Sequence, residues 1–371
     1  MINQERLLER FLKYVQIDSP TLSERDFAEV LMAELKDLGI DVEMDDAGEK
    51  TGSNSGNVIA RVKGTTGAEP ILFSCHMDTV SPGIGIKPQI KDGVIYSDGT
   101  TILGGDDKAG IAAIMEALTV MKEQSIEHGD LEIVFSIYEE GGLKGSQNLD
   151  YSKIKSKYAF VFDSGGDPGQ IITQGPAQVK INATFVGKPA HAGVAPEEGV
   201  SAISIAAEAI SNMKLLRIDE ETTANIGSIN GGGPTNIVTD KVTIAAEARS
   251  LDNDKLKAQS DHMVQCIKDA QAKYGDFEAE IEVVHAYSAF KVEEDSDIVN
   301  KAKQACINAG LEPFTAKSGG GSDTNNLNGN GVMAVNFGIG EKKPHTLEEH
   351  LHIKDLNATG VLVLELIKLF A

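Results

Sequence analysis

Apolar residues recur along this chain in two rhythms, and the change from one to the other divides it into three stretches. Leu7, Leu8, Phe11, Leu12 and Val15 fall on one helical face, and Phe27 to Leu38 gives a second stripe closed by Gly39. Unbroken apolar runs at Asn57–Val62, Pro70–Cys75, Leu131–Tyr138 and Tyr158–Phe162 predict buried strands, and Asp107–Glu123 between them predicts a strong helix. Buried strands separated by helices predict an α/β domain with a mainly parallel, helix-covered sheet.

The rhythm changes at Gly175-Pro176. A strand (Gln178–Val186), a helix (Val200–Met213), two strands (Thr223–Asn230 and Lys241–Ala248), a helix (Asp254–Lys273) and a strand (Phe277–Tyr287) follow. That order, β-α-β-β-α-β, is ferredoxin-like. The first style then returns with a helix near Ile298–Ala309, a strand at Val332–Phe337 and a closing helix at Leu356–Phe370. The reading is an α/β domain over 1–176 and 290–371, interrupted by an inserted α+β domain over 177–289.

Composition narrows the class. The 371 residues are 41% hydrophobic and 24% charged, enough for two globular domains with sizeable cores. A formal charge of −22 argues against nucleic acid and anionic membranes as partners, since both need basic patches. No apolar run approaches a membrane span, and the N-terminal MINQERLLERFLKYV reads as an amphipathic helix rather than a signal peptide. Three cysteines, Cys75, Cys266 and Cys306, lack disulfide or thiolate-zinc spacing and fit a reducing cytoplasm.

Three of the predicted strands stop at metal-ligand side chains. ILFSC runs into His76 and Asp78, LEIVFSIY into Glu139 and Glu140, and YAFVF into Asp163. Loops at the carboxyl ends of parallel strands are free to converge, so these residues point to one shared site. His76 and Asp78 are two apart and face the same way, which lets Asp78 hold one imidazole nitrogen while the other binds a metal. GGDDKAG adds Asp106 as a ligand candidate, whereas Asp107 serves equally as a helix cap. The adjacent Glu139 and Glu140 can reach one site only where the strand breaks, and Gly141-Gly142 supplies that break. One carboxylate then neutralises a metal while the other moves a proton, the division that metal-assisted hydrolysis needs. Imidazole and carboxylate donors without cysteine suit Zn, Mn or Co. Carboxylates in excess of one tetrahedral shell suggest two divalent ions.

SCHMDTV, GGDDKAG, YEEGG, VFDSGG, GKPAHAG, EARSLD, GGGSDTNNL and PHTLEEH occur in this order over nearly the whole chain. Together they resemble the M20 family of dinuclear metallopeptidases, and most closely its peptidase T branch. The resemblance implies a catalytic α/β domain with an inserted ferredoxin-like lid. It implies that His76 and Asp163 hold one metal, that Glu140 and His345 hold the other, that Asp106 bridges the two, and that the peptide bond from Asp106 to Asp107 is cis, as it often is in the family. It makes Glu139 the general base and then acid, with Asp78 orienting His76. Among the three histidines of PHTLEEHLHIKD it selects His345 and leaves His350 and His352 structural. His128, His262 and His285 match no motif and read as structural.

The lid residues have ordinary alternatives. His191 in GKPAHAG is a surface-loop histidine or, by resemblance, a donor to the oxyanion that reaches a partner subunit's site in dimeric relatives. Arg249 is a salt bridge to a lid carboxylate or a fork on the substrate's terminal carboxylate. Asn236 in PTNIV and Gly320 in SGGGSD are weaker candidates for substrate contact. The expected function is hydrolysis of short peptides, releasing the N-terminal residue of tripeptides. Zinc is the expected metal, with cobalt or manganese also suited, and a homodimer through the lid is allowed. An N-acyl amino acid deacylase, or another M20-type carboxypeptidase or dipeptidase, shares the same metal motifs. The more remote readings are metal-dependent phosphoryl hydrolysis, which wants more positive charge than these motifs offer, and a non-catalytic binding protein.

Overall fold

The computed structural model describes residues 1–275 and 277–371, which form two compact units. The first comprises Met1–Gln174, Phe290–Ser318 and Ser322–Ala371; the second comprises Gly175–Ala289 and Gly319–Gly321.

The first unit is built on a nine-stranded sheet. From one edge it runs Asp41–Met44, Val58–Val62, Leu131–Ser136, Ile71–His76, Tyr158–Ser164, Met333–Gly338, Gln170–Gly175 and Phe290–Lys291, with Phe314–Lys317 also pairing to Gln170–Gly175. The centre is parallel, as the continuous apolar runs predict: Ile71–His76 pairs parallel with both Leu131–Ser136 and Tyr158–Ser164. Antiparallel pairs occur toward the edges, for instance between Val58–Val62 and Leu131–Ser136. The edge strands Asp41–Met44, Phe290–Lys291 and Phe314–Lys317, and Gln170–Gly175 beside the last two, were not foreseen, because strands this short or half-polar have no distinctive apolar rhythm.

Strand alternation divides the side chains between two layers. Ile71, Phe73, Cys75, Ile133, Phe135, Phe160 and Phe162 join the main core with the helices, while Leu72, Val134, Ala159 and Val161 pack in a second cluster with Leu149 and Leu327. Helix Gly105–Glu123 is buried along most of its length, against Gln4–Val15 and Ile353–Leu369 and against strand Ile71–His76. A helix covered on all sides is apolar all round, so its sequence carries no amphipathic stripe. Its mid-helix buried charge, Glu116, is met from the N-terminal segment: Arg6 donates at 2.7 and 2.9 Å, Arg10 at 3.2 Å, and the Asn3 backbone N–H at 2.9 Å. Glu116→Ala would leave two partly buried guanidinium groups without this partner. The expected loss is about 2–4 kcal/mol of unfolding free energy, read from the urea midpoint. A midpoint equal to wild type would show that the cluster adds nothing to stability.

The second unit has a five-stranded antiparallel sheet covered by helices Ala202–Asn212 and Asn253–Ala272. Its four long strands, counted along the chain from Ala177–Val186, lie in the order 2-3-1-4 with the short Leu216–Arg217 added at one edge. That is the ferredoxin-like arrangement expected from the order of elements. A further antiparallel sheet of four very short strands in the first unit joins Glu341–Lys342, His350–His352, Val94–Tyr96 and Gln89–Lys91. Strands of two or three residues are invisible to periodicity, yet this sheet carries the segment that contains His345.

Candidate metal centre

Strand register delivers the first two side chains. Ser74 pairs with Val161, and two residues further on each strand, on the same face by alternation, stand His76 and Asp163. Ser136 ends the neighbouring strand opposite His76. Beyond it the chain turns through positive φ at Tyr138 (50°), Gly142 (121°) and Leu143 (59°), so the break that frees Glu139 and Glu140 is made largely by non-glycine residues. Glycine is needed at Gly142, whose φ disfavours any side chain, and at Gly145, where a Cβ would stand 2.2 Å from the Ile137 carbonyl oxygen. GGDDKAG opens the central helix with Gly104 at φ 72° and non-helical angles at Asp106 and Asp107, across a cis peptide bond.

Asp106 lies between two imidazoles. Its Oδ1 is 2.8 Å from His76 Nε2, and its Oδ2 is 3.2 Å from His345 Nε2. His76 Nε2 is also 3.5 Å from Asp163 Oδ1, and His345 Nε2 is 3.0 Å from Glu140 Oε1. Of the three late histidines, only His345 makes these approaches among the described contacts; His350 stacks on Tyr96 at 5.2 Å between ring centroids. The other nitrogen of His76 is held chiefly by a carbonyl: Nδ1 is 2.9 Å from the Asp78 backbone oxygen and 3.6 Å from Asp78 Oδ1. The Asp78 carboxylate accepts the backbone N–H groups of Glu139 (2.8 Å) and Glu140 (3.2 Å) and the Thr21 hydroxyl (2.7 Å). Asp78 thus fixes the His76 segment and the Glu139–Glu140 segment at once.

The centre is short of positive charge. Burial, reinforced by the negative charge of Asp163, pushes the Glu139 carboxyl well above its usual range. Burial likewise raises Glu140 and Asp107, and lifts Asp163 to about 8 against the lowering effect of His76. Burial also opposes ionisation of Asp106, but hydrogen bonds from His345 and His76 outweigh it and keep that carboxyl below the ordinary range. Hydrogen bonds to Asp106 and then Glu140 raise His345 to about 10. Desolvation works against a charged His76, yet Asp163 and Asp106 overcome it and raise its pKa.

Such a cluster suits cations. His76, Asp106 and Glu140 form one group, and His76, Asp107 and Asp163 a second; within each, the candidate ligand atoms lie within 4.8 Å of one another. Among the described residues, Asp107 Oδ1 is buried without a hydrogen-bond partner. The donors are imidazole nitrogens and carboxylate oxygens, which fits Zn, Mn or Co.

Periodicity passed over three buried acids here. Asp107 was open to a capping role; instead its Oδ2 accepts the His76 backbone N–H at 3.3 Å. Glu349 accepts the backbone N–H groups of Leu103 (2.8 Å), Gly104 (3.1 Å) and Gly105 (2.6 Å), fixing the turn ahead of Asp106. Asp323 is 2% exposed and accepts the hydroxyls of Ser136 and Ser146. The only sequence cue was an acid following SGGGS, a helix-start pattern.

His191, Asn236, Arg249 and Gly320 belong to the second unit. His191 is exposed, and its Nδ1 accepts the Gly193 N–H at 3.2 Å. Arg249 forks onto Glu247 at 2.9 and 3.1 Å. The Asn236 carbonyl accepts the Ala192 N–H at 2.9 Å, and Gly320 is exposed.

A mainly parallel central sheet ending in a carboxylate–imidazole cluster, with a ferredoxin-like insertion, defines a two-domain α/β scaffold of the metallopeptidase type. Residues 72–369 match the family model for peptidase family M20/M25/M40. The chain belongs to that family. It is 47% identical to the uncharacterized protein YqjE of Bacillus subtilis (strain 168) over 368 residues, 99% of each chain. Its fold matches aminopeptidase PepT from Bacillus cereus ATCC 10987 with a TM-score of 0.89 and 47% identity, covering 100% of this chain and 99% of that one. It matches a tripeptidase from Staphylococcus aureus subsp. aureus mu50 with a TM-score of 0.93 and 43% identity, over 99% and 98% of the two chains. No helix among the described residues is long and apolar enough to cross a membrane.

Proposed function

We propose that this chain is a dinuclear metal-dependent aminopeptidase that releases the N-terminal residue of short peptides, tripeptides foremost. The observation that carries the reading is Asp106, with one oxygen toward each of His76 and His345, together with the buried acid Glu139 within the influence of Asp163 and His76. The likeness to an aminopeptidase and to a tripeptidase supports the substrate class. His76 and Asp163 would hold one ion, Glu140 and His345 the other, and Asp106 both. When bound, the metals supply Lewis-acid activation of water and of the scissile carbonyl. Glu139 takes the proton of the attacking water on a carboxylate oxygen and returns it to the leaving amine. Asp78 keeps Glu139 in register through its backbone N–H.

The second unit supplies recognition in this proposal. His191 donates to the developing oxyanion. Arg249 grips the substrate's terminal carboxylate in competition with Glu247, and Asn236 and Gly320 contact the peptide. Dimerisation through this unit is part of the proposal. Three free, buried cysteines accord with a cytoplasmic setting.

The test is a panel of dipeptides, tripeptides, N-blocked tripeptides and N-acyl amino acids offered to zinc-, cobalt- or manganese-loaded protein. Free tripeptides should be cleaved fastest, with release of the first residue. Faster cleavage of acyl amino acids, or of blocked peptides, would make the chain a deacylase or carboxypeptidase instead.

A further inference from the structure

Residues 137–145, which carry Glu139 and Glu140, run between two serines that both donate to Asp323. The Ser136 hydroxyl takes one oxygen of that carboxylate and the Ser146 hydroxyl the other. Ser136 ends the strand beside His76, and Ser146 lies in the short helix Lys144–Gln147 that closes the loop. Asn326, one turn beyond Asp323, adds hydrogen bonds from Nδ2 to the Leu143 carbonyl (3.0 Å) and to the Ser146 hydroxyl (2.9 Å).

The start of helix Asp323–Gly329 is itself fixed. Ser322 caps it in a capping box with Asn325, and the Ser322 hydroxyl accepts from Asn336 at 3.3 Å. Asn336 in turn exchanges hydrogen bonds with the backbone of Asp163, at 2.9 Å to its N–H and 2.8 Å to its carbonyl. One continuous polar chain therefore joins Asp163 to both ends of the Glu139–Glu140 loop. A buried carboxylate is costly unless its oxygens are satisfied, and here the groups that satisfy it are the loop's two ends.

We propose that Asp323 is a positioning residue that, through Ser136 and Ser146, sets the Glu139–Glu140 loop relative to Asp163. This inference rests on the reading of Glu139 as the proton-transfer group. The loop's internal hydrogen bonds, from the N–H groups of Gly142 and Leu143 to the Glu139 carbonyl and of Gly145 to the Ile137 carbonyl, hold its shape. Its two ends are anchored by Asp323.

The test uses the full-length, zinc-loaded chain and trialanine. Ser146→Ala removes one anchor and leaves Ser136 in place. It should lower kcat about tenfold with KM changed by less than about twofold, at unchanged metal content. Amide hydrogen exchange at 142–145 should quicken by about tenfold or more. In a Glu139→Gln background the same substitution should lower kcat no further, because the group being positioned is gone. Asp323→Asn, whose amide still accepts one hydroxyl and donates to the other, should recover most of the kcat that Asp323→Ala loses. Wild-type exchange at 142–145 in Ser146→Ala, or multiplicative losses in the double variant, would overturn the proposal. If Asp323→Ala does not fold, Ser136→Ala replaces it in the same measurements. A wild-type rate for Glu139→Gln, or no cleavage of trialanine, would count against the proposed function; the exchange comparison would still decide whether Asp323 anchors the loop.

Discussion

Glu139→Gln should leave the protein folded and its metal content intact while kcat falls by about 10²–10⁴-fold, the usual contribution of a positioned acid–base group. The substitution keeps the side chain's size and shape. The backbone N–H of Glu139 still donates to Asp78, so the loop keeps its place. What is lost is one oxygen able to accept and release a proton. Burial and the charge of Asp163 raise the Glu139 carboxyl, which strengthens its hold on a proton relative to an exposed glutamate. Steady-state kinetics on a cleaved tripeptide, beside elemental analysis of the purified variant, would check this. A rate near wild type at full metal content would remove Glu139 from the mechanism.

Asp106→Asn should act on metal affinity before chemistry. Among the described residues, Asp106 is the one carboxylate with an oxygen in hydrogen-bond reach of each imidazole, Oδ1 to His76 and Oδ2 to His345. Asparagine keeps a single oxygen and turns two N–H donors toward the position a cation would take. Changes in residues behind the ligands cost about 10–100-fold in affinity or activity, so losing a shared ligand should cost at least about 100-fold. Metal titration with a competing chelator would show weaker binding and lower stoichiometry, and activity in excess metal would remain depressed. Chelation of the wild type should abolish activity, with recovery on adding Zn, Co or Mn. Full activity in the metal-stripped protein would overturn the metallopeptidase mechanism.

His76 and Asp163 were legible as a pair because a buried strand has one pattern and ends where the pattern ends. A polar residue at that point is conspicuous, and parallel pairing brings such ends to one edge. The ferredoxin-like order was legible for a similar reason, since long elements with clear periods fix their own sequence of types. Glu349 was not legible. It sits in a loop beside the exposed Glu348, and nothing local separates an acid that caps three backbone N–H groups from one that faces water. Asp323 escaped for the same reason, because its partners Ser136 and Ser146 are far away in sequence.

His345 marks the boundary between the two kinds of information. By itself the chain determined its α/β and ferredoxin-like stretches, and the acids and imidazole at three strand ends, because periodicity and strand termini are local properties. The residues alone left three late histidines open and the resemblance pointed to His345; that its ring meets Asp106, and which buried acids hold the turns around it, the tertiary structure decided. The short strands that carry His345 past Asp106 are too brief to have a rhythm, and a hydrogen bond between residues hundreds of positions apart leaves no trace in either segment alone.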